Sequence, residues 1–224
     1  MPWLALALVS VFLVIVFPVR AARRRRLFGS AGRAVYRRGR RGSWVLADLL
    51  FVSGFALVVA GPALQAAGVT GAPFDTPFDT PAALAWVAAG SIVLAAVLAI
   101  WSQETMGSAW RPDIAPARGS QLVTGGPFSV VRNPTYVAML VAGMGTLLLA
   151  PSACGVIGWL SLLAGLLLTA RAEEPQLRAV YGAQYGRYAA RVGRLLPLIG
   201  RLCDASEAQP PAGAPDPAEM APGR

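Results

Sequence analysis

The stretch TYVAMLVAGMGTLLLAPSACGVIGWLSLLAGLLLTA, residues 135–170, consists of two apolar runs joined by a proline–serine pair. Neither run, at residues 135–150 and 152–170, contains a charged side chain. Uncharged apolar runs of about this length are typical of helices in a lipid bilayer, and a proline–serine pair is typical of a tight turn. The stretch therefore predicts a transmembrane helical hairpin whose two free ends lie side by side.

Three further apolar runs precede this hairpin, at residues 3–19, 44–67 and 82–102. With 55% hydrophobic residues and a mean hydropathy of +0.54, the chain is predicted to be an all-α, polytopic membrane protein with about five transmembrane helices. The first run resembles the core of a signal peptide, but its basic cluster follows the apolar residues instead of preceding them. We therefore expect an uncleaved helix whose N-terminus lies outside.

The basic residues are all arginines, and all twenty fall on one side of this topology. Ten follow the first run, three lie between the third and fourth runs, and seven follow the fifth. The positive-inside rule predicts an N-out, C-in protein of the plasma membrane. The net charge of +9 is then explained by anionic membrane lipids as partners, without nucleic acid.

The chain contains no histidine and two cysteines, Cys154 and Cys203. This composition excludes histidine bases, histidine metal ligands and Ser-His-Asp triads, and the cysteine spacing indicates no metal site. Any chemistry must use Arg, Glu, Asp, Tyr, Asn or a cofactor.

Polar and aromatic residues concentrate in two blocks on the arginine-rich side, at residues 106–136 and 171–197. Because these blocks flank the hairpin, residues 132–136 and 171–174 are expected to be neighbours. The second block is expected to begin a new helix with Pro175 in its first turn. Its helically spaced stripe is typical of an interfacial tyrosine belt or of a lid over a cofactor, and comprises Leu177, Tyr181, Tyr185, Tyr188 and Val192.

Several motifs follow one another around the hairpin: LVTGGPF at 122–128, RNPTY at 132–136, EEPQL at 173–177, YGAQYGRY at 181–188 and a closing LP at 196–197. In this order they resemble the isoprenylcysteine carboxyl methyltransferase family, integral membrane enzymes that use S-adenosylmethionine. The resemblance covers residues 106–197. It implies methyl transfer, at the cytoplasmic membrane face, to a hydrophobic or prenylated acceptor such as a prenylcysteine carboxylate.

The resemblance also implies roles for individual residues. Arg132 and Glu173 are expected to be catalytic, and Arg171, Glu174 and Tyr185 are expected to bind the acceptor. The expected cofactor-binding residues are Ser120, Gln121, Leu122, Val123, Phe128, Asn133, Pro134, Thr135, Tyr136 and Glu173.

The chemistry of S-adenosylmethionine agrees with these residue types. The Glu173 carboxylate suits the ribose diol or the ammonium, the backbone of residues 122–126 suits the adenine edge, and Phe128 or Tyr136 suits its face. Arg132 is suited to clamp a carboxylate of the cofactor or acceptor. Methyl transfer needs alignment and exclusion of water more than an acid or base, so a carboxylate or thiolate acceptor requires no histidine.

Two positions depart from the family pattern. Asn133 stands where the family has histidine, so it can form hydrogen bonds to the cofactor but cannot transfer protons. Thr169 stands where the family places a substrate-binding arginine, and Arg171 is the nearest arginine.

Two other functions remain open. A lipid-active, nicotinamide-dependent membrane reductase would need a phosphate-binding glycine fingerprint, and no compelling one occurs. A non-enzymatic scaffold or transporter would need polar groups along a path, and the apolar runs have few. In that case Arg132 would only contact lipid headgroups, beside an ordinary N-cap of the fourth helix.

The predicted organisation has three parts. Residues 1–102 form three transmembrane helices with an Arg-rich cytoplasmic loop. Residues 103–202 form the catalytic part, with hairpin 135–170 and a C-terminal amphipathic helix, and residues 203–224 form a disordered tail rich in Pro, Ala and Gly. Small residues of the fifth run predict close packing inside the bundle, namely Gly155, Gly158, Ser161 and Gly165.

Overall fold

The computed structural model of the protein describes residues 1–28, 42–69, 80–107 and 121–202. Within these ranges the α-helices are α1 (Pro2–Val14), α2 (Arg20–Phe28), α3 (Gly42–Ala66), α4 (Ala82–Met106), α5 (Pro134–Leu149) and α6 (Ala153–Arg191). A π-helical turn, Ile15–Val19, joins α1 to α2, and a 3-10 turn, Gly126–Ser129, precedes α5. The tail at 203–224 and the predicted site residue Ser120 lie outside the described residues.

The described helices confirm an all-α integral membrane protein. Those long and apolar enough to cross a membrane are four: Pro2–Arg23, Trp44–Ala66, Ala82–Met106 and Ala153–Arg191. The fourth predicted run forms α5, an apolar helix of 16 residues, which is shorter than the usual spanning length of about 20 residues.

The first helix extends further than its apolar run. The chain stays helical through the π-helical turn and α2 to Phe28, so Arg23 and Arg26 lie on a helix and not in a loop. Pro18 lies inside the π-helical turn, where it lacks a backbone donor. The neighbouring Val16 carbonyl accepts a hydrogen bond from Gln103 of α4 at 3.4 Å.

The helix ends form two opposite faces. On one face, Gln65 near the end of α3 donates to the Pro151 carbonyl at 2.8 Å, between α5 and α6. Thr80, just before α4, donates to the Leu148 carbonyl near the end of α5 at 2.9 Å. This face therefore holds the turn of the predicted hairpin.

The opposite face holds the arginine-rich ends, and we call it the arginine face. Arg20 of α2 donates to Gln103 at 2.7 Å and also contacts Glu104, both at the end of α4. The loop before α5 lies on the same face, because a Cβ built on Gly126 would stand 3.2 Å from Thr105 Oγ1 of α4. The free ends of the hairpin and the end of the first span thus meet on one side.

Small residues bring α6 against α3. A Cβ built on Gly158 would stand 2.7 Å from Leu57 Cβ, and one built on Gly165 would stand 2.7 Å from the Phe51 backbone nitrogen. Such distances allow only glycine without a shift of the backbone. The predicted close packing of the fifth run inside the bundle is confirmed.

The core is formed by side chains of α1, α3, α4, α5 and α6. Its large, fully buried side chains include Phe12, Ile92, Leu149 and Leu162. Burial of these side chains fixes the position of α5, whose first turn carries the candidate site.

The prediction that a new helix begins with Pro175 in its first turn is wrong. Pro175 lies inside the helical part of α6 that continues from the hairpin, at the cost of one backbone hydrogen bond. The helical backbone is interrupted at Gly182, with φ 50° and ψ −130°, a conformation that glycine adopts readily. Within Ala153–Arg191, α6 therefore consists of two helical parts that meet at a kink at Gly182.

Gly158→Ala is expected to destabilise the protein by about 1–3 kcal/mol, because the new methyl group overlaps α3 in a packed contact. Gly90→Ala in α4 is the matched control, since nothing lies within 4 Å of a Cβ built there. Thermal unfolding in detergent measures both variants. Equal unfolding midpoints for the two would contradict the close contact.

Candidate functional site

The candidate site begins where the loop on the arginine face enters α5. Gly126 opens the 3-10 turn with φ 56°, and Phe128 of that turn is buried. Pro134 is buried at the first position of α5, where its missing N–H would have had no helical partner. Arg132 and Asn133 are thereby held at the end of an apolar helix.

Arg132 is buried, with 6% of its surface exposed, and its side chain is bound by protein groups. Nη2 donates to Glu174 Oε1 at 2.8 Å and to the Gly200 carbonyl at 2.9 Å. Nη1 donates to the Ala189 carbonyl at 3.0 Å. Among the described residues, Nε is buried without a hydrogen-bond partner.

Glu174 also binds a second guanidinium. Arg194 donates from Nε to Oε1 and from Nη2 to Oε2, each at 2.8 Å. These hydrogen bonds raise the pKa of the Arg194 guanidinium above its ordinary value. We call Arg132, Glu174 and Arg194 the Glu174 cluster.

The chain after α6 folds back over this cluster, and we call residues 192–202 the C-terminal strap. The backbone nitrogen of Arg132 donates to the Gly193 carbonyl at 2.8 Å. The backbone nitrogen and the side-chain amide of Asn133 both donate to the Arg194 carbonyl, each at 3.2 Å. A Cβ built on Gly193 would stand 2.0 Å from the Leu196 carbonyl oxygen, so this path requires glycine.

The tyrosine stripe of α6 faces the protein interior. Tyr185 and Tyr188 are buried, and the Tyr188 hydroxyl donates to the Phe128 carbonyl at 2.7 Å. Leu122 packs against the hydrophobic cluster that contains Tyr185 and Tyr188. The burial of Tyr185 and Tyr188 argues against an exposed tyrosine belt at these two positions. A lid over a cofactor stays a prediction.

Glu173 has different surroundings from its neighbour Glu174. Tyr136 donates its hydroxyl hydrogen between the two Glu173 carboxylate oxygens, at 3.1 and 3.0 Å. Within the described part of the chain, no arginine forms an ion pair with Glu173. The predicted proximity of residues 132–136 and 171–174 is confirmed, because Arg132 reaches one glutamate and Tyr136 the other.

The segment at residues 122–124 has no regular secondary structure and packs beside the tyrosines of α6. Leu122 packs against the cluster formed by Tyr185 and Tyr188, whereas Thr124 is exposed. The N–H and C=O groups of these three residues form no hydrogen bond with the backbone of other described residues.

The structure brings most predicted site residues together around the start of α5. Gln121 and Arg171 are exposed, and Val123 and Thr135 are half-buried. Sequence reasoning did not identify Arg194 or Gly193 as part of this region, and it named Tyr188 only as a member of the tyrosine stripe. The one available signal was charge balance, since two adjacent glutamates at a membrane edge require cationic or hydrogen-bonding partners.

Residues 83–184 match the family described as phospholipid methyltransferase. The matched segment runs from α4 into α6 and contains Arg132, Tyr136 and both glutamates, but not the C-terminal strap. No curated protein sequence matches the chain. The match confirms the resemblance to membrane methyltransferases of the isoprenylcysteine carboxyl methyltransferase type. The segment that contains the candidate site is therefore similar to the phospholipid methyltransferase family.

Proposed function

We propose that the protein is an S-adenosylmethionine-dependent methyltransferase of the plasma membrane that methylates a lipophilic acceptor at the cytoplasmic face. The main support is Glu173, a half-buried carboxylate that binds the Tyr136 hydroxyl and no described arginine. A carboxylate in this state retains acceptor capacity for a ligand. Its place at the end of two apolar helices makes it accessible to a molecule that arrives from the lipid.

The residues present fit S-adenosylmethionine. Glu173 is suited to accept hydrogen bonds from its ribose diol or ammonium, and the backbone groups of residues 122–124 are suited to the adenine edge. Phe128 is buried and its carbonyl is bound by Tyr188, so Tyr136 is the better aromatic candidate. When bound, the cofactor supplies an electrophilic methyl group on its sulfonium.

We assign positioning roles to Arg132 and Glu174. Both terminal nitrogens of Arg132 and both oxygens of Glu174 are bound by protein groups, so their main interactions are already internal. They hold α6 against the start of α5 and thereby keep Glu173 beside Tyr136. Asn133 contributes in the same way, through its amide bond to the C-terminal strap.

We propose a carboxylate as the acceptor group, as in a prenylcysteine-type substrate. A carboxylate is a nucleophile at neutral pH without loss of a proton, which suits a chain that contains no histidine. Arg171 is exposed two residues before Glu173 and is suited to an anionic headgroup. The family description favours a second candidate, the amine of a phospholipid headgroup.

The cytoplasmic orientation follows from charge. All twenty arginines of the chain belong to segments on one side of the predicted topology, and the described ones with side-chain contacts cluster on the arginine face. Positively charged segments are retained in the cytoplasm during insertion. The proposed site would then draw its cofactor from the cytoplasm.

Glu173→Gln is expected to weaken binding of S-adenosylhomocysteine at least about tenfold, because hydrogen bonds to a charged group contribute roughly 1.5–3 kcal/mol. Gln176→Ala, an exposed change on the same helix, is the control and should bind like the wild type. Isothermal titration calorimetry in detergent measures both. Unchanged affinity of the Glu173 variant would remove it from the cofactor site.

Arg132→Met is expected to lower the free energy of unfolding by about 3–5 kcal/mol, because it leaves the buried Glu174 with one cation fewer. Arg187→Met removes an exposed arginine of α6 and serves as the control. Thermal unfolding is measured with and without S-adenosylhomocysteine. If Arg132→Met kept wild-type stability and lost only ligand binding, a direct ligand contact would replace the positioning role.

A farnesylcysteine analogue is expected to accept a methyl group from labelled S-adenosylmethionine in lipid nanodiscs, and to form a base-labile ester. The ionisation of the acceptor should not limit the rate between about pH 6 and 9, because a carboxylate is ionised throughout this range. Phosphatidylethanolamine in the same nanodiscs tests the second candidate. A base-stable product whose rate rises across this pH range would identify an amine acceptor instead.

A further inference from the structure

The tip of the C-terminal strap is a tight turn with an unusual residue. Residues 196–199 close a turn through a hydrogen bond from the Ile199 nitrogen to the Leu196 carbonyl at 3.2 Å. Pro197 in the second position and a φ of 69° at Leu198 in the third are the pattern of a type II turn. That third position favours glycine or asparagine, and bulky side chains avoid it.

This turn exposes three large apolar side chains. Leu196 is 56% exposed, Leu198 66% and Ile199 63%. They are consecutive except for Pro197, so the whole tip of the strap is apolar. A solvent-facing turn would ordinarily carry Gly, Asn, Asp or Ser at these positions.

The strap is anchored at the edge of the apolar helices. Its Gly193 and Arg194 carbonyls accept hydrogen bonds from the backbone nitrogens of Arg132 and Asn133, directly before α5 begins. The Gly200 carbonyl accepts from the Arg132 side chain. The tip therefore projects from a point within one or two residues of an apolar helix end.

Cationic side chains flank this tip. Arg187 and Arg191, at the end of α6, and Arg201, after the tip, are all exposed. Arginines beside exposed apolar groups are the arrangement by which interfacial segments bind anionic lipid surfaces. The charge thus complements a phospholipid leaflet, and the apolar tip continues the lipid-exposed surface of the spans.

We propose that the tip of the C-terminal strap inserts into the acyl boundary of the leaflet on the arginine face, with the flanking arginines at its anionic headgroups. The strap then has two contacts, one with the lipid and one with the Glu174 cluster. Leu198 is retained in a glycine-type conformation because its side chain is the deepest contact with the lipid. The inference does not depend on methyl transfer.

Site-directed spin labelling tests this insertion in nanodiscs that contain phosphatidylserine. The label is attached to Leu198→Cys in a Cys154→Ala, Cys203→Ala background, and its collision rates with oxygen and with a water-soluble nickel complex are compared. Val97→Cys, on the exposed surface of α4, is the lipid reference, and Gln184→Cys, exposed near the end of α6, is the aqueous reference. The label at Leu198 should resemble that at Val97.

Two results would overturn the proposal. A Leu198 label that resembles the one at Gln184 would place the tip in water. A label protected from both reagents would place it against protein, such as a second copy of the chain.

The variant Leu198→Asn distinguishes the contribution of the Leu198 side chain to lipid contact from its contribution to the fold of the turn. Asparagine accepts a positive φ, so the strap should fold and thermal stability should not fall. A spin label at Leu196→Cys should nevertheless move toward water in the Leu198→Asn variant. An unchanged label depth in this folded variant would contradict a role of Leu198 in lipid contact.

Discussion

The carboxylate of Glu174, shared by the guanidinium groups of Arg132 and Arg194, is the interaction on which the arginine face depends. It joins the loop before α5, the middle of α6 and the C-terminal strap, which are 42 and 20 residues apart along the chain. A buried charge is costly unless it is paired and hydrogen-bonded, so this cluster forms as a unit or not at all. The backbone hydrogen bonds from Arg132 and Asn133 to the C-terminal strap lie beside this cluster.

The neighbouring glutamates have different partners, and this difference follows from helix geometry. Adjacent residues on an α-helix point about 100° apart, so Glu173 and Glu174 cannot serve the same partner. Glu174 forms ion pairs with two arginines and so links α6 to the loop before α5 and to the C-terminal strap. Glu173 accepts a hydrogen bond from the Tyr136 hydroxyl instead. The ion-paired Glu174 thereby supports its neighbour Glu173, which we propose as the carboxylate that binds the cofactor.

Much of this fold follows from simple features of the sequence, because a bilayer restricts what an apolar run can become. Uncharged runs predicted the helices, Pro151 predicted the turn, and the small residues of α6 predicted its close contact with α3. One proline signal was misjudged. Pro175 is tolerated inside the helix, and the backbone departs from helical geometry later, at Gly182, whose positive φ favours glycine.

The candidate site was only partly predictable, for a different physical reason. Tyr136 and the two glutamates lie next to the hairpin ends, so topology alone brings them together. Arg194 reaches Glu174 because the strap reverses direction. The strap is held by main-chain hydrogen bonds, which depend little on side-chain identity and are therefore hard to predict from the sequence. Residues 108–120, which include Ser120, lie outside the described part of the chain, and the expected contribution of Ser120 to the cofactor site stays a prediction.

The shortness of α5 has a consequence for how the proposed lipophilic acceptor would reach Glu173. Sixteen residues rise about 24 Å, several ångströms less than the roughly 30 Å thickness of a bilayer core. Hydrophobic mismatch of this kind is relieved by local thinning of the bilayer, so we expect a dimple in the membrane surface beside the first turn of α5. A reactive headgroup would then meet Tyr136 and Glu173 by sinking with its own leaflet, while its hydrocarbon tail stays among the other lipids.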